Sequence, residues 1–218
     1  MGMGMTITER LALIRENGII AILRARDAEG LLIAAGVLLE GGVRAVEVTM
    51  TTAGALEVIS AARQQYGDEL LFGAGSVLDG ETARAAILAG AQFIVAPTLK
   101  QETIVMGHRY GVPVIPGCYT PTECLAALEY GAQMIKLFPA SIGGPAYVKA
   151  LLAPLPQLSI IPVGGVALEN VAAYIRAGAV AVGVGGELVS QQLLDEGDLE
   201  TIQRRAAAFV EEVHKGRD

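Results

Sequence analysis

The chain has 218 residues, 52% of them hydrophobic and 5% aromatic, with 27 glycines, no Trp and a formal net charge of −7. That length and apolar content suit one well-buried domain with an aliphatic core and many tight turns. The acidic balance argues against a nucleic acid or an anionic membrane as partner, and an anionic small substrate would need a local positive site.

In chain order, the opening MGMGM (1–5) lacks the basic start and long apolar run of a signal peptide. It reads as a disordered or expression-derived tail, which leaves 6–218 as a single domain. TITERLALIRENG (6–18) predicts a helix with Thr6 or Thr8 as N-cap. Strand candidates follow at 19–23, 44–48, 70–73, 93–97, 113–117, 133–138, 159–163 and 179–184. They alternate with amphipathic segments at 29–40, 53–65, 81–89, 101–110, 121–130, 146–152 and 168–177. Such alternation implies parallel strands joined by crossover helices. A glycine stands before a strand at Gly42, Gly90, Gly111, Gly131 and Gly178, where a helix end needs a left-handed residue. Leu199, Ile202, Ala206, Phe209, Val210 and Val213 form one helical stripe, so the chain should end in an amphipathic helix.

Eight strand–helix units predict a (β/α)8 TIM barrel with an extra N-terminal helix and a C-terminal amphipathic helix. The competitor is a doubly wound sheet, but no GxGxxG follows the first strand, IIAILRARDAEG. No apolar run reaches membrane-spanning length. Cys118 and Cys124, in CYTPTEC, have neither zinc-site nor CxxC spacing and read as free thiols of a cytoplasmic protein.

Barrel enzymes keep their chemistry at the C-terminal ends of the strands. Those ends carry Arg24, then Glu47 and Thr49, Gly75 and Ser76, Pro97 and Thr98, Pro116 and Gly117, Lys136, Gly164–Gly165 and Gly185–Gly186. In GAQMIKLFPAS (131–141) alternate side chains face opposite ways, so Met134, Lys136 and Phe138 share one side. A strand apolar on both faces belongs in a buried parallel sheet, which aims Lys136 at an apolar interior. Desolvation then lowers its pKa from the ordinary lysine value of about 10.4, as amine nucleophiles of Schiff-base chemistry require. Taken alone, the stretch fits better a lysine that snorkels to solvent or fills a structural ion pair, and the rest of the chain reverses that.

Glu47 repeats the logic: in RAVEVTM it faces inward with Ala45 and Thr49, and a buried carboxylate needs a partner such as Lys136. Two opposed titratable groups can tune each other into the working range, although a plain Lys–Glu pair filling the interior would have the same pattern. The paired glycines after the last two strands match the place where barrels bind phosphate on backbone N–H groups, though such pairs also mark ordinary turns. His108 and His214 read as solvent-facing, Cys118 as core-lining, and Arg26–Asp27 and Glu211–Glu212 as solvated surface.

The ordered set GGVRAVEVTMTT, GAGSV, PGCYTPTE, IKLFPAS, GGPAYVKAL and VGGV, spanning about residues 18–190, resembles the bacterial 2-keto-3-deoxy-6-phosphogluconate and 4-hydroxy-2-oxoglutarate aldolases. The resemblance implies a metal-free class I aldolase, without cofactor, that is usually a homotrimer and acts on a small-molecule 2-oxo acid. It assigns Lys136 as the Schiff-base lysine and Glu47 as the acid/base. It further implies that Ser76 contacts the pyruvate carboxylate, where relatives commonly have threonine, and that Phe138 and Pro97 pack around the pyruvyl group. Two departures stand out. Thr51 occupies a position where many relatives carry arginine, so Arg24 is expected to supply the anion-binding charge. Gly186 replaces a usual serine beside Gly164, Gly165 and Gly185 at the expected phosphate site. A sugar-phosphate epimerase or isomerase and a non-catalytic 2-oxo-acid binder are the alternatives.

Overall fold

A computed structural model describes residues 4–25 and 29–218, the side chain of Glu29 excepted. Arg26 and Asp27, and Met1 to Met3 of the expected tail, lie outside the described residues. Of that tail, Met5 is partly buried and packs against apolar side chains of the domain.

Among the described residues the order is α1 (Ile7–Asn17), β1 (Ile19–Leu23), α2 (Glu29–Glu40), β2 (Ala45–Thr49), α3 (Ala55–Tyr66), β3 (Leu71–Gly75), α4 (Gly80–Leu88) and β4 (Phe93–Val95). Then come α5 (Gln101–Arg109), β5 (Val114–Ile115), β6 (Gly117–Cys118), α6 (Pro121–Glu129), β7 (Ile135–Leu137), a 3-10 turn (Ala140–Ile142) and α7 (Gly144–Leu152). The chain closes with β8 (Ile160–Pro162), α8 (Val171–Arg176), β9 (Val182–Val184), α9 (Gln191–Glu196) and α10 (Leu199–Arg217).

Each strand pairing is parallel, in a six-stranded sheet of order β5-β4-β3-β2-β1-β9 and a three-stranded sheet of order β6-β7-β8. The predicted strand 113–117 is therefore two short strands. Pro116 separates them because a proline has no N–H for the ladder, while its carbonyl still accepts from the Lys136 N–H at 2.8 Å. A parallel bridge between Val163 and Gly183 links the end of β8 to β9. The result is an α/β fold whose parallel sheet is strongly curled.

Strand alternation divides the core in two. Ile20, Ala45, Leu71, Phe93, Ile115, Met134 and Ile161 meet on the concave side, with Leu11 and Ile14 of α1 packed against them. Val46, Phe72, Ile94, Ile135, Ile160 and Val182 face the surrounding helices. Both faces are apolar, as a parallel sheet covered by helices demands.

Local signals were well obeyed. Thr6 caps α1 in a capping box with Glu9, and Thr120 does the same for α6 with Glu123. Gly42, Gly90, Gly111, Gly131 and Gly178 take φ values of 91°, 104°, 68°, 101° and 105°, the left-handed turn expected before each strand. The C-terminal helix buries Ile202, Ala206, Phe209 and Val213 and packs on α8 and α2. Among the described residues no helix is long and apolar enough to cross a membrane.

Candidate active site

A cleft of about 830 Å³ opens at the C-terminal ends of the strands. Arg24 from the end of β1, Glu47 from β2, Ser76 after β3, Pro97 after β4 and Lys136 with Phe138 from β7 all line it. Gly164 and Gly165 after β8, and Gly185 and Gly186 after β9, line it too. Thr51 does not. Its hydroxyl lies 3.0 Å from that of Thr49, which is the threonine that reaches the cleft.

Lys136 sits mid-strand, in register with Gly117 on one side and Ile161 on the other, and is only 6% exposed. Burial depresses its pKa; the Glu47 carboxylate opposes that shift and the Arg24 guanidinium adds to it. Glu47 is 2% exposed, and burial raises its pKa against the pull of Lys136 and Arg24. Both groups are thus driven towards their neutral forms. Neither one is held by a direct ion pair to the other among the described residues. The simple structural pair considered from sequence is therefore not formed. What the site contains is an amine and a carboxyl with converging proton affinities, facing one cleft.

Phe138 places its ring centroid 5.0 Å from the Lys136 Nζ and keeps 39% exposure at the rim. An aromatic face at that distance shields the amine from water while tolerating a developing cation. Ser76 has φ 59°, the sole positive φ at a non-glycine residue among those described. A β-strand that ends in a left-handed serine turns sharply, and such strain gathers at functional sites. Gly164 and Gly165 have φ 87° and 76°, and a Cβ on Gly165 would come within 2.5 Å of the Ser141 Cβ. A Cβ on Gly186 would meet no heavy atom within 4 Å, so that position borders open space.

Sequence reasoning missed part of the wall. Ile22, Val163 and Gly183 form the floor, and Glu187, Ser190 and Gln191 extend the side next to Gly186. The first three are ordinary inward positions one layer below the strand ends. Of the others, Glu187 follows Gly186 directly, while Ser190 and Gln191 are the cap and first residue of α9, a six-residue helix too short to show periodicity. One signal was there to be read: Ser190 caps α9 by accepting the Leu193 N–H at 3.3 Å, a Ser-x-x spacing visible in SQQL.

Cys118 and Cys124 are free and buried. His108, expected to face solvent, is exposed but has its Nε2 2.9 Å from the Gly131 carbonyl oxygen. Among the described residues no three His, Cys, Asp or Glu side chains gather where they could hold a metal ion.

Residues 11–205 match the family model described as KDPG and KHG aldolase. The chain is 40% identical over 193 residues to a 2-dehydro-3-deoxy-6-phosphogalactonate aldolase of Escherichia coli K12, covering 88% of this chain and 92% of that protein. A KDPG aldolase structure from Legionella pneumophila, with pyruvate captured as a covalent carbinolamine, superposes with a TM-score of 0.85. It is 27% identical and covers 90% of this chain and 96% of its own. A cube-shaped cage designed by fusing symmetric oligomeric domains contains a chain 39% identical, with a TM-score of 0.86 over 92% of this chain and 73% of that one.

Proposed function

The chain belongs to the KDPG and KHG aldolase family, and from that premise we propose that Lys136 and Glu47 carry out its carbon–carbon bond cleavage. The observation that carries this reading is the near-complete burial of an amine and a carboxyl that line one cleft, which pushes the first pKa down and the second up.

The neutral Lys136 amine adds to the C2 ketone of a 2-keto-3-deoxy acid to give a carbinolamine. Glu47, directly or through water, delivers the proton with which hydroxide leaves as water, and an iminium remains. The Glu47 carboxylate then takes the proton of the C4 hydroxyl. As the C4 oxygen forms its carbonyl, the C3–C4 bond pair flows into the iminium, producing an enamine and a free aldehyde. That aldehyde is glyceraldehyde 3-phosphate from a six-carbon phosphorylated acid, or glyoxylate from 4-hydroxy-2-oxoglutarate. Glu47 returns its proton to C3 of the enamine, and hydrolysis releases pyruvate and Lys136.

Ser76 at its strained turn holds the pyruvyl carboxylate, while Phe138 and Pro97 pack on the pyruvyl group. Arg24, at the open end, meets the distal anion, with the Gly164–Gly165 and Gly185–Gly186 backbone as further N–H donors. The electron sink is the covalent imine on Lys136, so no metal or cofactor is assigned a step.

The curled sheet is read as a closed eight-stranded (β/α)8 barrel in a single domain from about residue 6, with α1 and α10 as additions. The Val163–Gly183 bridge and the division of one strand at Pro116 support closure. A homotrimer in the cytoplasm is the proposed working state, supported by the likeness to the symmetric cage domain and by two buried free thiols.

The test is pyruvate release, followed by NADH-linked reduction, from the 6-phosphorylated gluconate-type acid, its C4 epimer and 4-hydroxy-2-oxoglutarate. At least one should be cleaved, with rates unchanged by chelators. No pyruvate from any of the three overturns the proposal.

A further inference from the structure

Glu47 is a long side chain buried almost completely at the edge of a packed interior, and room for its carboxylate has to come from a neighbour. The neighbour is β3. Its inward positions are Leu71, Gly73 and Gly75, so two of the three carry no side chain. Each gap is filled from an adjacent strand. A Cβ on Gly73 would stand 2.5 Å from the ring of Phe93, and a Cβ on Gly75 would stand 2.6 Å from Oε1 and 2.8 Å from Cδ of Glu47. Contacts that short do not persist between real atoms, and the group able to move is the carboxylate at the end of its flexible stem.

The backbone does not require glycine at 75. Gly75 is not among the residues of positive φ, and it lies in regular strand register with Thr49, its carbonyl accepting from the Met50 N–H at 2.8 Å. An alanine fits that conformation. What glycine provides there is space.

We infer that Gly75 is a positioning residue for the aldol cleavage: the missing Cβ lets the Glu47 carboxylate lie flat against β3, on the side of the cleft that faces Lys136. The inference rests on the proton-transfer role given to Glu47 above. A methyl group at 75 pushes the carboxylate away by an ångström or so while leaving the strand, Lys136 and the anion-binding end in place. Misplacement on that scale costs about 100-fold in a reaction that depends on orientation.

The experiment follows exchange of the pyruvate methyl hydrogens for deuterium in heavy water, which requires both the Lys136 imine and a base at C3. It is run on the natural protein, Gly75→Ala, Glu47→Gln and the double variant. Gly75→Ala should lower kcat for exchange by about 10- to 100-fold with KM for pyruvate changed less than about threefold. Adding it to Glu47→Gln should change nothing further, because a residue that acts through another has no effect once that partner is gone.

If Glu47→Gln exchanges at the natural rate, the proton-transfer role fails and this inference with it. If Glu47→Gln is impaired but Gly75→Ala is not, or if the two losses simply multiply, the inference fails alone. Should Gly75→Ala not fold, Gly75→Ala/Glu47→Ala should regain the fold, since removing the carboxylate removes the collision. A double variant still unfolded would overturn the inference.

Discussion

At the scale of single residues, the site works against stability. Burial raises the Glu47 pKa, so the stability tied to that group is greatest below the unfolded-state value of about 4.3 and is lost as pH rises through the higher folded value. Burial lowers the Lys136 pKa, so its contribution is greatest above about 10.4 and is lost as pH falls through the lower folded value. Between those limits, where the enzyme works, both shifts subtract from folding. Their mutual attraction returns only part of the loss. Glu47→Met/Lys136→Met should therefore be inactive yet more stable at pH 7, by about 1–4 kcal/mol in urea titration. The gain should shrink towards either pH extreme, where one natural group becomes neutral. A double variant less stable than the natural protein at pH 7 would mean that the two groups hold the fold together rather than strain it. Lys136→Met alone should fall below the double variant, since it leaves a buried carboxyl without its cation.

At the scale of elements, the C-terminal helix contributes packing and places no side chain in the cleft. Phe209 lies on the buried stripe of α10, where that helix covers α8 and α2, and is not among the residues that line the cleft. Phe209→Ala should cost about 3–5 kcal/mol, or roughly 10 °C in melting temperature for a domain of this size. At a temperature where the variant is folded, kcat should match that of the natural protein. A large fall in kcat there would show that α10 shapes the site. This stripe was legible in the sequence because nineteen helical residues give periodicity room to repeat. The same reasoning found nothing in α9, whose six residues contain only one turn and a half. It also drew one strand where Pro116 makes two, because the alternation of apolar residues continues through the proline although the hydrogen-bond ladder does not.

At the scale of the whole molecule, the alternation of strands and helices and the glycines before each strand were enough to foresee a parallel sheet wrapped by helices. The inward direction of Lys136 and Glu47 followed from counting residues along their strands. The lack of direct contact between them did not, because strand alternation gives a side chain's face and not its reach. Nor could spacing show that Thr51 turns to Thr49 instead of the cleft, since it lies just beyond β2, where the alternation ends. The space left by Gly75 was invisible for a similar reason: its place at a strand end could be counted, but only the three-dimensional neighbour reveals which side chain the glycine accommodates.

The central claim is that Lys136 is the nucleophile, and covalent trapping tests it most directly. Borohydride added to the protein with pyruvate should give an intact mass increased by one reduced pyruvyl group. Peptide mapping should place that group on Lys136, and Lys136→Ala should acquire none. Trapping that persists undiminished in Lys136→Ala, or maps to another lysine in the natural protein, would contradict the account.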